Sequence, residues 1–306
     1  MKKRILNAVL SFCLAVTLLP VTSFAADDAE SGALAYLALG DSITTGYGLD
    51  DSGESFADLF AEEIGAAVTV NAAVDGLTAA MLEDALTDTA GTDYLTYMAA
   101  INAADVITIT IGGNDLMGAF YTVMTEIAAV NGVTVDAETI QSAFADPAGD
   151  NLTTVSSLLN LLNASDWSSY LTDADTSTVF TDAVTECIEN LNNIAAAIKA
   201  VNPDAVIVVA NQYNPYQWLG DTYENIALLF ETGVNAYNMG LSISKTSDYT
   251  VADVCSEFAA SEDTLTNAQI DAATYSFNFD FHPNAEGHTV IAAVMVSAYE
   301  SESIAE

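Results

Sequence analysis

Asp105-Val-Ile-Thr-Ile-Thr-Ile-Gly-Gly-Asn114 is the stretch that decides the fold. Val106 to Ile111 are all β-branched, and such side chains favour extended backbone. The run carries no charge and stops at Gly112-Gly113, so it reads as a strand buried on both faces. Two further stretches share this design. Ala35-Tyr-Leu-Ala-Leu39 closes on Gly40, and Ala205-Val-Ile-Val-Val-Ala210 runs into Asn211. Ala67 to Val70 and Tyr249 to Val254 read as shorter strands. Helical spacing fills the gaps. It appears at Phe56, Leu59, Phe60 and Ile64, across Leu77 to Leu86, along Phe180, Cys187, Leu191, Ile194 and Ile198, and across Ile226 to Met239. Asn284 is placed to cap a last helix through Ile291 and Val294. Buried strands alternating with amphipathic helices predict an α/β fold, a parallel sheet covered on both faces.

Ligands of such sheets bind beyond the carboxyl ends of the strands. The polar and glycine-rich clusters fall at those ends: Gly40-Asp-Ser42, Asp75-Gly76, Gly112-Gly-Asn114 and Asn211 to Pro215. Residues 117–198 contain no strand pattern and hold an apolar knot at Leu158, Leu159, Leu161 and Leu162. They read as a helical insertion on the same edge, either extra core cover or a lid or wall for an acyl chain.

The chain has 306 residues, 51% of them hydrophobic and 16% charged, enough for a sizeable core. Its 43 acidic residues face 5 Lys plus Arg, a formal charge of −38. That excess excludes nucleic acid as a partner, since phosphate contacts need Lys and Arg, and it opposes an anionic membrane surface. Lys2, Lys3 and Arg4 precede an apolar run from Ile5 to Pro20, and small residues stand at Ser23 and Ala25. This is the layout of a secretory signal peptide, residues 1–25, cleaved after Ala25. Residues 26–306 then form one domain, secreted and without a stable membrane anchor. Its only basic residues besides histidine are Lys199 and Lys245, so no guanidinium clamps a phosphate or carboxylate. Export permits a disulfide between Cys187 and Cys255, and two small buried thiols are the alternative.

The chemistry is narrowed by the scarcity of histidine. Only His282 and His288 exist. His282 precedes Pro283-Asn284 in a loop, whereas His288 falls inside the last helix. His282 is therefore the candidate base by elimination. Ser42 follows a strand and Gly40, where a sharp turn can present the hydroxyl. A serine hydroxyl needs a base within hydrogen-bond reach and N–H donors where an oxyanion develops. Gly76, Asn114 and the Ser42 backbone N–H can supply those donors. Asp41, Asp115, Asn71 and Thr78 read as turn-shaping residues, and Tyr47 as either a pocket wall or an exposed ring. Asp50-Asp-Ser-Gly-Glu54 lacks an EF-hand pattern and reads as a solvated loop.

Gly40-Asp-Ser-Ile43, Asn71 to Thr78, Ile111-Gly-Gly-Asn-Asp115 and His282-Pro-Asn284 followed by Glu286-Gly-His288 occur in the order of the SGNH, or GDSL-type, hydrolase blocks. The chain resembles that superfamily from Leu37 to its C-terminus, least within residues 117–198. Val206 to Pro215 is similar to the strand and Tyr-Asn-Pro turn of lipase and lysophospholipase-like members. The resemblance implies a flavodoxin-like three-layer α/β/α sandwich. It implies Ser42 as nucleophile, His282 as base, and Ser42, Gly76 and Asn114 as the oxyanion hole. It implies no cofactor and no metal. The superfamily places its carboxylate three residues before the histidine, where this chain has Phe279. Asp280, two residues before, is the candidate; Asp271 or a Ser–His dyad is the alternative. The expected activity is a serine esterase acting on small-molecule or lipid esters. The leucine-rich insertion and the Tyr-Asn-Pro turn favour acyl lipids or lysophospholipids, the alternative being acetylated carbohydrates. A non-catalytic binding module would lack the nucleophile or the base, and both are present.

Overall fold

Each long buried run of the sequence becomes a strand of one sheet in the computed structural model, which describes residues 33–305 except 166, 218–223 and 272–275. The proposed signal peptide therefore lies outside the described residues. The chain runs β1 (Ala35–Gly40), α1 (Ser42–Thr45), α2 (Phe56–Glu63), β2 (Val68–Asn71), α3 (Ala79–Thr87), α4 (Tyr94–Ala103) and β3 (Val106–Thr110). Five helices follow: α5 (Gly113–Val130), α6 (Ala137–Ala145), α7 (Asp150–Ala164), α8 (Ser168–Thr172) and α9 (Val179–Val201). Then come β4 (Val206–Ala210), α10 (Glu224–Ser244), β5 (Thr250–Ala252), α11 (Val254–Ala260), β6 (Gln269–Asp271), β7 (Ser276–Asn278) and α12 (Ala285–Ala305). Leu34–Glu306 forms one compact unit.

The sheet order is β2-β1-β3-β4-β5, every pairing parallel. Sequence order reverses between β1 and β3, and such a switch point opens a crevice beyond the strand ends. The strands alternate between two layers of core. Leu37, Leu39, Ile107, Ile109, Ile207 and Val209 face the larger cluster, packed under α3, α5, α9 and α10. Tyr36, Ala38, Val208 and Ala210 face the cluster under α2, α11 and α12. The result is a three-layer α/β/α sandwich.

The two threonines of β3 are buried among apolar neighbours, so their hydroxyls need partners. Tyr36 Oη pairs with Thr108 Oγ1 at 2.6 Å. Thr110 Oγ1 donates to Asp41 Oδ1 at 2.9 Å and shares a 2.7 Å bond with Thr44 Oγ1. The polar content of β3 thereby fixes the turn after β1. Gly40 holds φ +133°, and a Cβ there would lie 2.2 Å from Thr110 O, so only glycine lets the strands meet at this point.

Some element boundaries differ from the sequence reading. The strand expected over Tyr249 to Val254 covers only Thr250–Ala252, because the Asp253 side chain accepts from Ser256 N and starts α11. The helix over Leu77 to Leu86 starts at Ala79, with Thr78 Oγ1 as its cap. The hairpin of β6 and β7 and helix α4 carried no clear sequence pattern. Among the described residues, 117–198 contain helices and turns and no strand, as expected. Cys187 and Cys255 are free thiols, the first buried and the second half-buried.

Candidate active site

Ser42 is the first residue of α1. Asp41 caps that helix, its Oδ1 accepting from Ile43 N at 3.1 Å. The Asp41 carboxyl is fully buried, and loss of hydration pushes its pKa up to about 6 despite the bonds from Thr110 and Ile43. It thus stabilises a turn, as the sequence implied, and it does so at an electrostatic penalty.

At the other end of the chain, His282 sits in the loop between β7 and α12. The loop is closed by Asn284, whose Oδ1 accepts from Gly287 N at 2.9 Å and caps α12. His282 Nε2 lies 2.9 Å from Ser42 Oγ. Its Nδ1 lies 2.5 Å from Asp280 Oδ1. Two residues are therefore enough separation for the carboxylate, because Asp280 Oδ1 also accepts from His282 N at 3.1 Å and the loop folds back on itself. Burial alone would raise the Asp280 carboxyl; the bonds from His282 and Asn267 override this and hold it below the usual carboxylate range. Asp271, the alternative carboxylate, ends β6, and its side chain lies outside the described ones.

Gly76 lies in an exposed turn between β2 and α3. That turn is tied on both sides. Thr45 Oγ1 donates to Asp75 Oδ1 at 2.6 Å, joining it to α1. Asn114 Nδ2 donates to Leu77 O at 2.9 Å, joining it to α5. Gly76 is thus held between the element bearing Ser42 and the element bearing Asn114. One N–H of the Asn114 amide is used by Leu77, which leaves the second as a donor. Asp115 shapes its turn and reaches beyond it: its carboxylate accepts from its own backbone N–H and from Ala79 N at 3.1 Å, which anchors the start of α3. Asn71 Nδ2 donates to Thr44 O at 2.9 Å, a further tie between the glycine turn and α1.

The Tyr-Asn-Pro turn after β4 holds the histidine loop. Tyr213 Oη donates to Phe281 O at 2.9 Å, and Tyr216 Oη donates to Phe279 O at 2.8 Å. Both hydroxyls are buried, and they grip the backbone on either side of Asp280. Tyr47 is half exposed, with its ring centroid 4.6 Å from that of His282. His288 is not a second base. It is fully buried in α12, its Nδ1 accepts from Phe56 N at 3.1 Å, and burial pulls its pKa down to about 4.

A tight cavity of about 40 Å³ opens beside Ser42. Its walls include Asn114, Leu116, Met117 and Phe120 of α5, Phe230 and Val234 of α10, Pro215 and Phe281. Phe120 and Phe230, with ring centroids 4.4 Å apart, are both deeply buried. The arrangement can pass a proton from a hydroxyl to an imidazole braced by a carboxylate, next to amide donors and a largely apolar slot. That is the equipment of acyl transfer. Among the described residues no cluster of ligating side chains that could hold a metal ion is found.

The comparisons fit this geometry. The model of the GDSL-like Lipase/Acylhydrolase family matches residues 38–290. No curated protein matches the chain at a significant level. Among solved structures, the lipase Lip_vut3 from a goat rumen metagenome is 19% identical, with a TM-score of 0.53, covering 87% of this chain and 97% of that one. Phospholipase A1 from Streptomyces albidoflavus NA297 is 17% identical, with a TM-score of 0.54 and coverage of 87% and 99%. An extracellular lipase from Streptomyces rimosus is 19% identical, with a TM-score of 0.52 and coverage of 87% and 100%. These likenesses establish a shared fold, and the family match covers all four sequence blocks, so the chain belongs to the GDSL-like lipase/acylhydrolase family of the SGNH superfamily and is a carboxylic ester hydrolase.

Proposed function

We propose that Ser42, His282 and Asp280 form the catalytic triad and that the ester's acyl group occupies the slot between α5 and α10. The observation that carries this is the unbroken chain of contacts from Ser42 Oγ through His282 to Asp280, with Ser42 itself lining that slot. Ser42 Oγ bonds the carbonyl carbon while its proton moves to His282 Nε2. Asp280 holds the Nδ1–H tautomer and balances the imidazolium. The N–H groups of Ser42, Gly76 and Asn114 receive the oxyanion. His282 then protonates the departing alkoxide, and the acyl group stays on Ser42. Water repeats the path: its proton goes to His282, its oxygen bonds the acyl carbon, and the Ser42 Oγ–carbon bond breaks as His282 returns the proton to Ser42 Oγ, releasing the carboxylic acid.

The slot supports apolar acyl groups, and the absence of arginine beyond Arg4 argues against tight recognition of a phosphate headgroup. An acyl-lipid substrate is the favoured reading. A carbohydrate acetyl ester is the second, favoured by the tightness of the slot, which has room on the order of one or two waters. Rates on p-nitrophenyl esters from C2 to C12, beside acetylated xylan, separate them. A peak at C4 or longer supports acyl lipids, and a preference for acetylated xylan supports the second reading. Absence of hydrolysis across the panel, or full turnover by folded Ser42→Ala, refutes both. We further propose that the enzyme is exported and that residues 1–25 are its leader, on the strength of the basic start and the apolar run that follows. N-terminal sequencing of the protein recovered from culture medium should begin at Ala26.

A further inference from the structure

We propose that Asn267 is a positioning residue for the carboxylate, locking Asp280, His282 and the loop after Ser42 into one register. This rests on the triad assigned above. The residue lies just before β6, in a stretch without chemical signature, and the sequence blocks do not include it. Its side-chain Nδ2 donates to Asp280 Oδ2 at 3.2 Å and to Gly48 O at 3.3 Å. Its backbone N–H donates to His282 O at 2.9 Å. Its carbonyl accepts from Asn278 Nδ2 at 2.8 Å, and Asn278 Oδ1 in turn accepts from Asp280 N at 3.0 Å. One asparagine therefore touches both flanks of the acid–histidine loop and the loop that leaves α1.

The geometry explains why each partner is needed. Asp280 Oδ1 is taken by His282, so its second oxygen would face solvent without Asn267; the Asp280 side chain is 28% exposed. A carboxylate held by one oxygen can rotate and release the imidazole. Gly48 is fitted to the same contact. Its φ is +88°, and a Cβ there would stand 2.6 Å from Asn267 Nδ2 and 3.3 Å from Asp280 Oδ2. The backbone after Ser42 thus comes close enough for a single amide to bridge the nucleophile's loop and the carboxylate. Tertiary supports of this kind hold a reacting constellation to within fractions of an ångström.

The test is a double-mutant cycle with Asn267→Ala and Asp280→Ala, read on a p-nitrophenyl ester and on the rate at which a fluorophosphonate labels Ser42. Asn267→Ala should lower kcat about 10-fold or more, with KM within about twofold. In the Asp280→Ala background the same change should cost less than about twofold, because its target is gone. Asn267→Asp should also be slow, since it sets a second carboxylate against the first. Equal losses in both backgrounds would show a general structural role, and wild-type turnover by Asn267→Ala would show none; either overturns the proposal while leaving Ser42 as nucleophile. Wild-type turnover by Asp280→Ala overturns the carboxylate assignment and this proposal together. The absence of Ser42 labelling in the wild-type protein overturns the whole reading of the site.

Discussion

At the scale of single residues, the site shows which signals a sequence carries. Ser42 and His282 stood out as candidates because histidine is so scarce and because four blocks occur in the superfamily's order; a Gly-Asp-Ser alone is an ordinary turn. Asp280 was legible only as a candidate, since the loop fold that brings Oδ1 to Nδ1 is set by bonds from Asn267, Asn278, Tyr213 and Tyr216. None of those four announces its role by spacing. Asp41 and His288 are the two buried titratable groups that strain the fold in opposite senses. Asp41 has a folded pKa of about 6, above its unfolded value, so its burial costs stability above that pH and nothing below about 3.8. His288 has a folded pKa of about 4, below its unfolded value. Its neutral form is favoured, so stability is lost as pH falls from about 6.5 through 4. Asp41→Asn keeps an acceptor for Ile43 and Thr110 and removes the buried charge. It should raise stability by about 2 kcal/mol at pH 7.5 and change it little at pH 4. Denaturant titrations of the two proteins at both pH values check this; a gain that does not depend on pH contradicts it.

At the scale of elements, β1, β3 and β4 were legible because buried parallel strands are continuously apolar. Helix α4 was not, because its apolar residues do not share one face: Leu95 is 76% exposed while Ile101 is buried. Helix α11 was hidden because it spans only Val254–Ala260 and Val254 follows β5 after the single residue Asp253, so its start reads as the end of a strand. Within the insertion, helices pack as core cover, and the N-terminal part of α5 also lines the slot beside Ser42. Helix α9 packs against α3, α5 and α10 as core, while α5 and α10 wall the slot. Phe230→Leu should shift the chain-length preference towards longer acyl groups by relieving the Phe120 contact, at a stability loss of about 1 kcal/mol. An unchanged chain-length profile in the folded variant would place the acyl group elsewhere. Tyr216→Phe removes the bond to Phe279 O and leaves a buried carbonyl short of that donor. It should destabilise the fold by about 1–3 kcal/mol and lower kcat more than it raises KM. Melting curves and steady-state kinetics of this variant measure both effects.

At the scale of the whole molecule, the formal charge of −38 acts on every conformation through self-repulsion. Salt screens such repulsion, with a Debye length of about 30 Å at 0.01 M and 3 Å at 1 M. Raising NaCl over that range should raise the melting temperature by several degrees; a melting temperature that falls or stays flat would mean that the acidic surface is already neutralised locally. The same field leaves the esterase reading untouched, since a neutral ester carries no charge to repel. The sheet topology ties the scales together. Ser42 follows β1 and Asn114 follows β3, the two strands that flank the switch point, and the His282 loop reaches that crevice from the far end of the chain.

An activated Ser42 is the centre of the proposed chemistry. The most direct measurement is mass spectrometry of the protein after exposure to a fluorophosphonate. A single phosphonyl group on Ser42 is predicted, formed rapidly in the wild-type protein and lost in His282→Ala. An unlabelled Ser42, an adduct on another residue, or a labelling rate indifferent to His282 would contradict it.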